Sequence, residues 1–596
     1  MARIISGIIS KLIQHSQQDS ISQEDLESCR FCDHDLTTSD LYQNYKVCPS
    51  CKFHYSQGPM DRIKSLTDSG TFREHNKSLF SSNTISFSSK NTYRTNLFSE
   101  QKRTGLTEAV VTGSCRIGGV QCLLIILDFG FMGGSMGAVV GEKISSTFER
   151  AAKKKIPLIA IVTSRGTRIQ EGVLSLMQMA KTASSYNKLK DKGVPFISVL
   201  SNPCTGQAYG SFANFADITI AEPSAIIGYN SLGTIQTKKL DNANTKEETL
   251  SSEFRLKQGL LDAVVERNKL REVLSVILDI LSKEFKVEAV NKVQNAKREM
   301  GIDGAWHSVQ LARHSSRPTS LDFMARILDT FVEIHGDRLF ADDPSIVCGL
   351  GQIGGQTIAV IGQDRGGYSS DSIDRRDGRT SPEGFRKAQR ILQMAEKFEI
   401  PVITLLDTPG PSTSLESEIR GLGQSIASTL SMVTEISCPT ISVVIGEGGS
   451  AGALALGATD ITMMLENSIY SAVSPEEAAE LLFQDGNRAD DAAESLKLTA
   501  NDCMNLGIID AVIPEPDLGA HKNHHESARL LKRSLLTALS DLQNQSPKKR
   551  MRTRHNKYRN MGKYSSRLST TISRRSTLIE EAIKRHGKSA QDKQPY

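Results

Sequence analysis

The 596-residue sequence contains no apolar run that approaches the roughly 20 residues needed to cross a bilayer. The segment from Ile4 to Ile13 is apolar but short, and no small-residue cleavage site follows it, so a secretory signal peptide is not indicated. A short amphipathic helix is the better interpretation of this segment. We expect a cytoplasmic protein with no membrane contact.

The sequence also lacks several familiar catalytic signatures. It has no Ser-His-Asp pattern and no H-E-x-x-H motif, and its 12 histidines lie mostly outside the repeated blocks described below. It has no G-x-x-x-x-G-K-[ST] motif, and no G-x-G-x-x-G at the first strand of a unit, so P-loop and dinucleotide sites are disfavoured. These absences fit catalysis by backbone N–H donors, with the base supplied from elsewhere, better than catalysis by a side-chain triad.

Six of the ten cysteines are scattered singly, and without a secretion signal a disulfide framework is disfavoured. The other four, Cys29, Cys32, Cys48 and Cys51, form two C-x₂-C pairs that are 15 residues apart. Two such pairs can place four thiolates tetrahedrally around Zn²⁺ at about 2.3 Å. Because a complete Cys₄ set closes the coordination shell, the sequence predicts a structural zinc ribbon over residues 29–55.

Four sequence blocks occur twice, in the same order, about 244 residues apart. In both copies 38 residues separate the starts of the first two blocks, and chance does not repeat such a spacing. The blocks begin at Ile156, Val194, Ala216 and Gly259, and again at Ile400, Cys438, Thr459 and Gly507. A whole domain has therefore been duplicated, which goes well beyond the short periods of solenoid repeats.

Each copy alternates β-branched runs with helical stretches such as Ile144–Lys155 and Phe385–Phe398. Runs that are apolar on both faces and separated by helices indicate an α/β fold with mainly parallel, buried strands. The predicted strands are Leu123–Leu127, Leu158–Val162, Phe196–Leu200 and Ile218–Ile220 in the first copy, and Ile358–Ile361, Val402–Leu406, Ile441–Ile445 and Ile461–Leu465 in the second.

In each copy one predicted strand ends in small residues just before a helix. These residues are Ser201–Ala208 in the first copy and Gly446–Ala453 in the second. The free N–H groups at a helix start point outward, and glycine lets a ligand come close, so such a turn can bind an anion, a phosphate or a developing oxyanion. Tight packing explains the same small residues, and the sequence leaves that alternative open.

The charge of the chain is distributed unevenly. Residues 546–596 contain 15 Lys and Arg against three acidic residues, a net charge of +12, whereas the whole chain has +5. This tail has few large apolar residues, so most of it is expected to be disordered. It is either a solvated segment or a docking arm for an acidic partner or for nucleic acid.

Longer motifs resemble those of one enzyme family, the bacterial acetyl-CoA carboxylase carboxyltransferases. The zinc ribbon, Gly172–Thr182 and Ile220–Gly228 resemble the β subunit. The resemblance covers about residues 1–540, with the β part first. The segments that resemble the α subunit are Ala305–His314, Gly336–Arg338, Ala341–Asp343, Pro382–Gly384, Asp407–Gly410, Val444–Ser450 and Ile513–His521.

The resemblance implies two tandem crotonase-type domains preceded by a Cys₄ zinc ribbon. It implies transfer of a carboxyl group from carboxybiotin, held on a biotin carboxyl carrier protein, to acetyl-CoA or a related thioester. The product is malonyl-CoA for fatty-acid or polyketide synthesis, and a biotin carboxylase is a further partner. The expected segments are 1–28 (N-terminal), 29–55 (ribbon), 56–285 (β-type domain), 286–545 (α-type domain) and 546–596 (tail).

The resemblance also implies two anion sites built from backbone N–H groups, one for the thioester oxygen and one for the biotin ureido oxygen. Arg168 and Arg386 either meet CoA phosphates or form structural ion pairs. Because each half contributes one helix start, we expect a site between a β half and an α half, across a homodimer. The residues placed at the two sites by the resemblance are Gly206, Gln207, Gly448, Gly449 and Gly452.

The chain departs from the family pattern near these turns at Arg165, Gln207, Pro411 and Ala451. Arg165 and Gln207 add bulk and polar groups. An alternative function therefore stands beside carboxyl transfer, namely a paralogue that decarboxylates or processes a malonyl thioester without biotin. A third hypothesis, which is not favoured, is a non-enzymatic protein whose ribbon and tail bind RNA or DNA.

Overall fold

The computed structural model describes residues 26–81, 93–229, 250–282, 286–287, 304–367 and 374–562. The short amphipathic helix expected within residues 4–13 therefore lies outside the described residues. The chain forms two compact units, Met1–Met551 and Arg552–Tyr596. Among the described helices, none is both long and apolar enough to span a bilayer.

The first half of the larger unit contains strands β1 to β8 and helices α1 to α8. The strands are Arg73–His75, Val110–Ile117, Val120–Leu127, Leu158–Ser164, Phe196–Thr205, Ile218–Ala221, Ile227–Gly228 and Ala263–Val264. The helices are Asp40–Tyr45, Pro59–Leu66, Tyr93–Thr104, Ala138–Lys154, Val173–Lys190, Gly206–Tyr209, Ser252–Lys257 and Leu270–Ser282.

The second half contains strands β9 to β16 and helices from α9 onward. The strands are Thr330–Glu333, Ile346–Ile353, Gln356–Gln363, Val402–Thr408, Thr440–Gly449, Ile461–Leu465, Ile469–Ser471 and Ala511–Ile513. Helices α9 to α19 are Ala305–Ala312, Ser320–Ile327, Pro382–Phe398, Leu415–Ile419, Leu422–Glu435, Ser450–Gly457, Pro475–Phe483, Ala489–Leu496, Ala500–Asn505, His524–Gln543 and Pro547–Arg559.

Each half is built on one eight-stranded sheet. The strand order is β1-β2-β3-β4-β5-β6-β8 in the first sheet, with β7 beside β5, and β9-β10-β11-β12-β13-β14-β16 in the second, with β15 beside β13. The second sheet thus repeats the first strand for strand. The strands from β3 and from β11 onward are parallel, while the two strands before them are antiparallel. The predicted α/β fold with mainly parallel strands is confirmed.

The parallel strands are apolar on both faces because they are covered on both sides. Every residue of β4 and of its counterpart β12 is buried. The helices that precede them, α4 and α11, end at Lys155 and Glu399 in the left-handed conformation, and an Ile-Pro step follows each one. All eight strands predicted from the sequence fall within observed strands.

The repeated aspartates fasten adjacent strands to each other. Each accepts a hydrogen bond from the backbone N–H at the start of a neighbouring strand, which satisfies a donor that would otherwise be buried without a partner. The donor and acceptor residues are Phe196 and Asp217 at 2.8 Å, Thr440 and Asp460 at 2.9 Å, Thr219 and Asp262 at 2.7 Å, and Thr462 and Asp510 at 2.7 Å.

Two of these aspartates also join the two halves within the larger unit. Lys397 Nζ lies 2.7 Å from Asp217 Oδ2, and Arg390 Nη2 lies 3.2 Å from Asp262 Oδ1. At Gly336, which has a φ of +76°, an added Cβ would lie 2.1 Å from the carbonyl oxygen of Gly259. The halves therefore meet through ion pairs and a close backbone contact.

The start of the basic tail is helical, whereas the sequence predicted disorder for most of residues 546–596. Residues Pro547–Arg559 form helix α19, and Pro547 stands at its beginning, where a missing N–H costs nothing. Arg550 Nη2 donates to the carbonyl of Ser437 at 2.8 Å. Lysine, arginine and methionine are good helix formers, so a low apolar content did not prevent a helix here. Residues 563–596 lie outside the described residues.

Candidate active site

In the first half, two parallel strands end in a close backbone contact. β4 ends at Ser164 and β5 at Thr205, and the glycines that follow, Gly166 and Gly206, have φ of +106° and +64°. A Cβ added to Gly206 would lie 2.8 Å from Gly166 Cα, so a side chain has no room there. Helix α6 begins at this contact, and its first N–H groups have no acceptor inside the helix. We name residues 205–207 the β-side turn.

The second half repeats this arrangement where β12 and β13 end. A Cβ added to Gly449 would lie 2.2 Å from the carbonyl oxygen of Pro409, and one added to Gly452 would lie 2.7 Å from Pro411 N. Gly448 is packed against Tyr470 instead. Helix α14 begins at Ser450, so its first N–H groups are also left without intrahelical acceptors. We name residues 448–452 the α-side turn.

The duplication extends to single backbone positions. Gly410, 244 residues after Gly166, has a φ of +150° and faces Ser450, which stands 244 residues after Gly206. Ser450 has a φ of +55°, close to that of Gly206. Both turns therefore place a helix start against the end of the neighbouring strand, with a positive φ at all four equivalent positions. The repeat therefore gives each half one glycine-lined helix start at the end of a parallel strand.

Two of the four departures from the family pattern differ in their surroundings. Gln207 is only 5% exposed, and its Oε1 has no hydrogen-bond partner among the described residues. Arg165 is exposed, and its side chain lies over Gly133. The glutamine thus brings an unpartnered acceptor to the β-side turn, whereas the arginine extends toward solvent.

A cleft of about 370 Å³ opens beside the α-side turn. Three arginines and several acids face it, so the cleft is polar and of mixed charge. The residues that line it are Arg313, Arg365, Asp377, Arg379, Pro409, Glu447, Ser474, Glu476 and Glu477. Because Pro409 also packs against Gly449, the cleft and the turn are parts of one site.

A network of charges fixes the residue that precedes the α-side turn. Glu447 Oε1 lies 2.8 Å from Arg313 Nη2, and its Oε2 lies 2.5 Å from Arg365 Nη2. Its N–H donates to Asp407 Oδ1 at 3.0 Å. Burial disfavours the carboxylate of Glu447, but the two guanidiniums outweigh it and lower its pKa. Burial raises the pKa of Asp407, against the attraction of Arg365.

Arg168 is fully buried in the first half. Its Nη1 lies 2.6 Å from Glu108 Oε1, and its Nη2 donates to the carbonyl of Ser135 at 3.0 Å. Tyr93 Oη also accepts from Nη1, at 3.3 Å. These contacts favour the structural ion pair over a contact with CoA phosphates.

Arg386 is partly exposed but already paired. It lies 2.8 Å from Asp337 Oδ2 and 3.3 Å from Glu383 Oε1, and it also donates to the carbonyl of Arg420 at 3.3 Å. A phosphate would have to compete with two carboxylates for this guanidinium. The geometry again favours the structural alternative.

The four cysteines of the ribbon are gathered as a tetrahedral metal site requires. All four sulfurs lie within 4.8 Å of one another. The Sγ atoms of Cys29 and Cys51 are 3.6 Å apart, as are those of Cys32 and Cys48. Four sulfurs at about 2.3 Å from one metal ion would lie about 3.8 Å apart. The cluster can therefore bind a metal ion.

Sequence reasoning missed several residues that lie around the two turns. Gly166 and Gly410 were not proposed as site residues, although their shared offset of 244 residues was a usable signal. Arg313, Arg365 and Glu447 were not assigned to the site because they are distant from one another in sequence, although Arg313 and Glu447 lie in segments that carry the family resemblance. Only folding brings these three side chains together.

The tandem α/β domains share their fold with solved transcarboxylase and carboxylase structures. The core of transcarboxylase 12S, solved with methylmalonyl-CoA and methylmalonic acid bound, has a TM-score of 0.64 at 21% identity and aligns over 82% of this chain and 90% of its own. A single-chain long-chain acyl-CoA carboxylase has a TM-score of 0.60 at 18% identity, over 81% of this chain and 45% of its own. At these identities the likeness shows the fold.

Sequence relatives identify the family. The family described as acetyl co-enzyme A carboxylase carboxyltransferase-like matches residues 278–562. The acetyl-coenzyme A carboxylase carboxyl transferase subunits beta/alpha of Clostridium tetani is 38% identical over 544 residues, covering 90% of this chain and 93% of that protein. The protein of the same name from Natranaerobius thermophilus is 38% identical, covering 92% and 93%. The chain belongs to the acetyl-CoA carboxylase carboxyltransferase family, as an enzyme with β and α parts fused.

Proposed function

We propose that this enzyme transfers a carboxyl group from carboxybiotin, delivered on a biotin carboxyl carrier protein, to acetyl-CoA or a close acyl thioester, forming malonyl-CoA. The observation that carries the proposal is the duplicated turn. In each half, a helix start packs against a strand end at a glycine, so its first N–H groups can bind an anion. The reaction needs two anion sites of this kind. A biotin carboxylase would recharge the carrier, and the product would feed fatty-acid or polyketide synthesis.

The chain contributes electrostatic stabilisation to this reaction. Carboxybiotin, when bound, supplies the carboxyl group and a ureido oxygen on which negative charge gathers. The N–H groups at the start of α6 would hold one growing negative charge, and those at the start of α14 the other. The network around Glu447 keeps the second helix start in place, so its donors need little reorganisation during the reaction.

We also propose that the ribbon holds a structural Zn²⁺. Four cysteine sulfurs complete a tetrahedral shell and leave no position for a water molecule, so the metal takes no part in the transfer. The spacing of the sulfurs and their thiolate chemistry both suit zinc.

A homodimer is the assembly we propose. Each half exposes an apolar pair just beyond its strand ends, and the two pairs are related by an offset of 246 residues. The exposed fractions are 77% for Ile169, 64% for Val173, 77% for Leu415 and 76% for Ile419. An isologous dimer would place the β-half pair of one copy on the α-half pair of the other. Large apolar side chains that are exposed to this extent support the proposal that a second copy of the chain covers this surface.

Gln207 supports a second candidate, decarboxylation of a malonyl thioester without biotin. Its unpartnered, buried Oε1 sits where the family has glycine, and its amide adds a donor near a leaving carboxylate.

One assay separates the two functions. Pure enzyme is given malonyl-CoA with and without a biotinylated carrier protein, and decarboxylation is followed. Carboxyl transfer predicts a rate at least about tenfold higher with the carrier, because biotin accepts the carboxyl group in the reverse direction. Equal rates would favour the biotin-free paralogue. Gln207→Gly would then show whether this residue is responsible, by restoring dependence on biotin.

A further inference from the structure

Three buried charges connect the ribbon to the sheet of the first half. Arg62, Glu222 and Arg267 expose 4% or less of their surface. Arg62 Nη1 lies 2.5 Å from Glu222 Oε1, and Arg267 Nη2 lies 2.7 Å from Glu222 Oε2. Burial opposes ionisation of the glutamate, but the two guanidiniums hold its pKa well below the usual range. The cost of removing these three charges from water cancels much of their mutual attraction. The triad therefore matters mainly for the positions of the segments that it contacts.

At the ribbon end, Arg267 holds the backbone around one metal-binding knuckle. Its Nη1 donates to the carbonyls of Tyr45 and Tyr55, both at 2.8 Å. These carbonyls bracket residues 46–54, which contain the second C-x₂-C pair. The hydroxyl of Tyr55 lies 3.1 Å from Cys29 Sγ. Arg267 therefore holds both ends of the segment that carries two of the four cysteines.

At the sheet end, the same triad holds strand β5. Arg62 Nη2 donates to Ser201 Oγ at 3.1 Å, and the N–H of Glu222 donates to the carbonyl of Leu200 at 3.0 Å. Ser201 is 2% exposed and stands five residues before Gly206. The triad therefore fixes β5 just before it delivers the β-side turn.

We propose that Arg62, Glu222 and Arg267 are positioning residues through which metal loading of the ribbon sets the backbone geometry of the β-side turn. The consequence for catalysis rests on the proposed function of that turn. With metal bound, the carbonyls of Tyr45 and Tyr55 orient Arg267. Arg267 fixes the carboxylate of Glu222, which in turn fixes Arg62 and its hydrogen bond to Ser201. Without metal, the hairpin around residues 46–54 loosens and the end of β5 fluctuates while the sheet stays folded.

Hydrogen–deuterium exchange of the full chain tests the coupling without any substrate. Zinc-loaded protein is compared with protein treated with EDTA. We expect exchange of residues 201–207 to accelerate about tenfold after metal removal, while the equivalent residues 445–451 of the second half stay unchanged. Acceleration in the ribbon alone would overturn the proposal, and so would equal acceleration in both segments. Since activity is not measured, a failure of the proposed function would not affect this result.

A serine pair on one strand supplies the variant and its control. Ser201→Ala removes the contact with Arg62, whereas Ser198→Ala removes a buried hydroxyl that has no partner among the described residues. For Ser201→Ala we expect fast exchange at residues 202–207 with zinc bound, no further response to EDTA, unchanged zinc content and about tenfold lower kcat at unchanged KM. Ser198→Ala should match the wild type. If Ser201→Ala keeps the wild-type exchange and response to EDTA, the proposal is wrong.

Discussion

At the scale of single residues, the two turns depend on the absence of a Cβ atom at glycine. Gly206 and Gly449 lack the atom that would separate two backbones, and this lets a helix start lie against a neighbouring strand end. The role of a charged residue depends instead on partners that are distant in sequence. The sequence left open whether Arg168 meets CoA phosphates or forms an ion pair, and the structure buries it fully against Glu108, a partner that sequence alone does not show.

Gly449→Ala should remove most activity. The new methyl group would lie 2.2 Å from the carbonyl oxygen of Pro409, so the two loops must separate and the N–H groups at the start of α14 must shift. Loss of one oxyanion donor typically costs about 10²–10³ in kcat. We expect at least about a 100-fold fall in carrier-stimulated decarboxylation of malonyl-CoA, and about 1–3 kcal/mol of lost stability from overpacking.

Gly423→Ala is the matched control for this substitution. Gly423 lies in helix α13, and an added Cβ there meets nothing within 4 Å. Alanine is the better helix former, so the control should keep full activity and gain a little stability. If both variants retained similar activity, the close contact at Gly449 would have no role in catalysis.

At the scale of elements, the ribbon is too small to fold around an apolar core of its own. Its buried cluster holds Leu36, Tyr42 and two of the cysteines, with aromatic rings such as Phe31 and Phe53 packed at its edge, 4.1 Å between centroids. Domains of this size usually need a metal to stay folded.

Cys48→Ser should therefore release the metal and unfold the ribbon. We expect about one zinc per wild-type chain by elemental analysis, and about none in the variant. Cys503→Ser, which alters a buried cysteine of helix α17, should retain the metal. A wild-type protein without zinc, or one with Cys29 and Cys51 in disulfides, would contradict the structural metal site.

The central strands and the repeat could be read from the sequence because buried parallel strands are nearly continuous apolar runs. β4 and β13 illustrate this, since every residue in them is buried. The edge strands β1 and β9 were missed. They have three and four residues and no fully buried residue, so no periodicity distinguishes them from loops. Helix α19 was missed because composition suggested disorder.

The site could be predicted only where it depends on backbone. Glycines at strand ends indicate backbone donors, so the turns at Gly206 and Gly449 could be proposed from sequence and resemblance together. The cleft beside them depends on Arg313 and Glu447, which are 134 residues apart. Their pairing requires the tertiary fold, and a single sequence without the structure contains no signal for it.

At the scale of the whole molecule, the duplication gives one chain two similar helix starts, and the proposed reaction needs both of them around one pair of substrates. Within the chain, the halves meet through Asp217 and Lys397 and through Asp262 and Arg390. The apolar pairs beyond the strand ends remain exposed. A second copy would cover these pairs and bring a β half to an α half.

Val173→Lys and Ile419→Lys should weaken this dimer. Each places a charge on a side chain that is 64% or 76% exposed, so the monomer should fold normally while the interface loses apolar area and gains a desolvation cost. Sedimentation should give about twice 65.2 kDa for the wild type and at least about tenfold weaker association for each variant.

Leu482→Lys, at a side chain 64% exposed on helix α15, is the control and should leave association unchanged. Activity should fall in proportion to the dimer fraction, and a fully active wild-type monomer would contradict the assembly we propose.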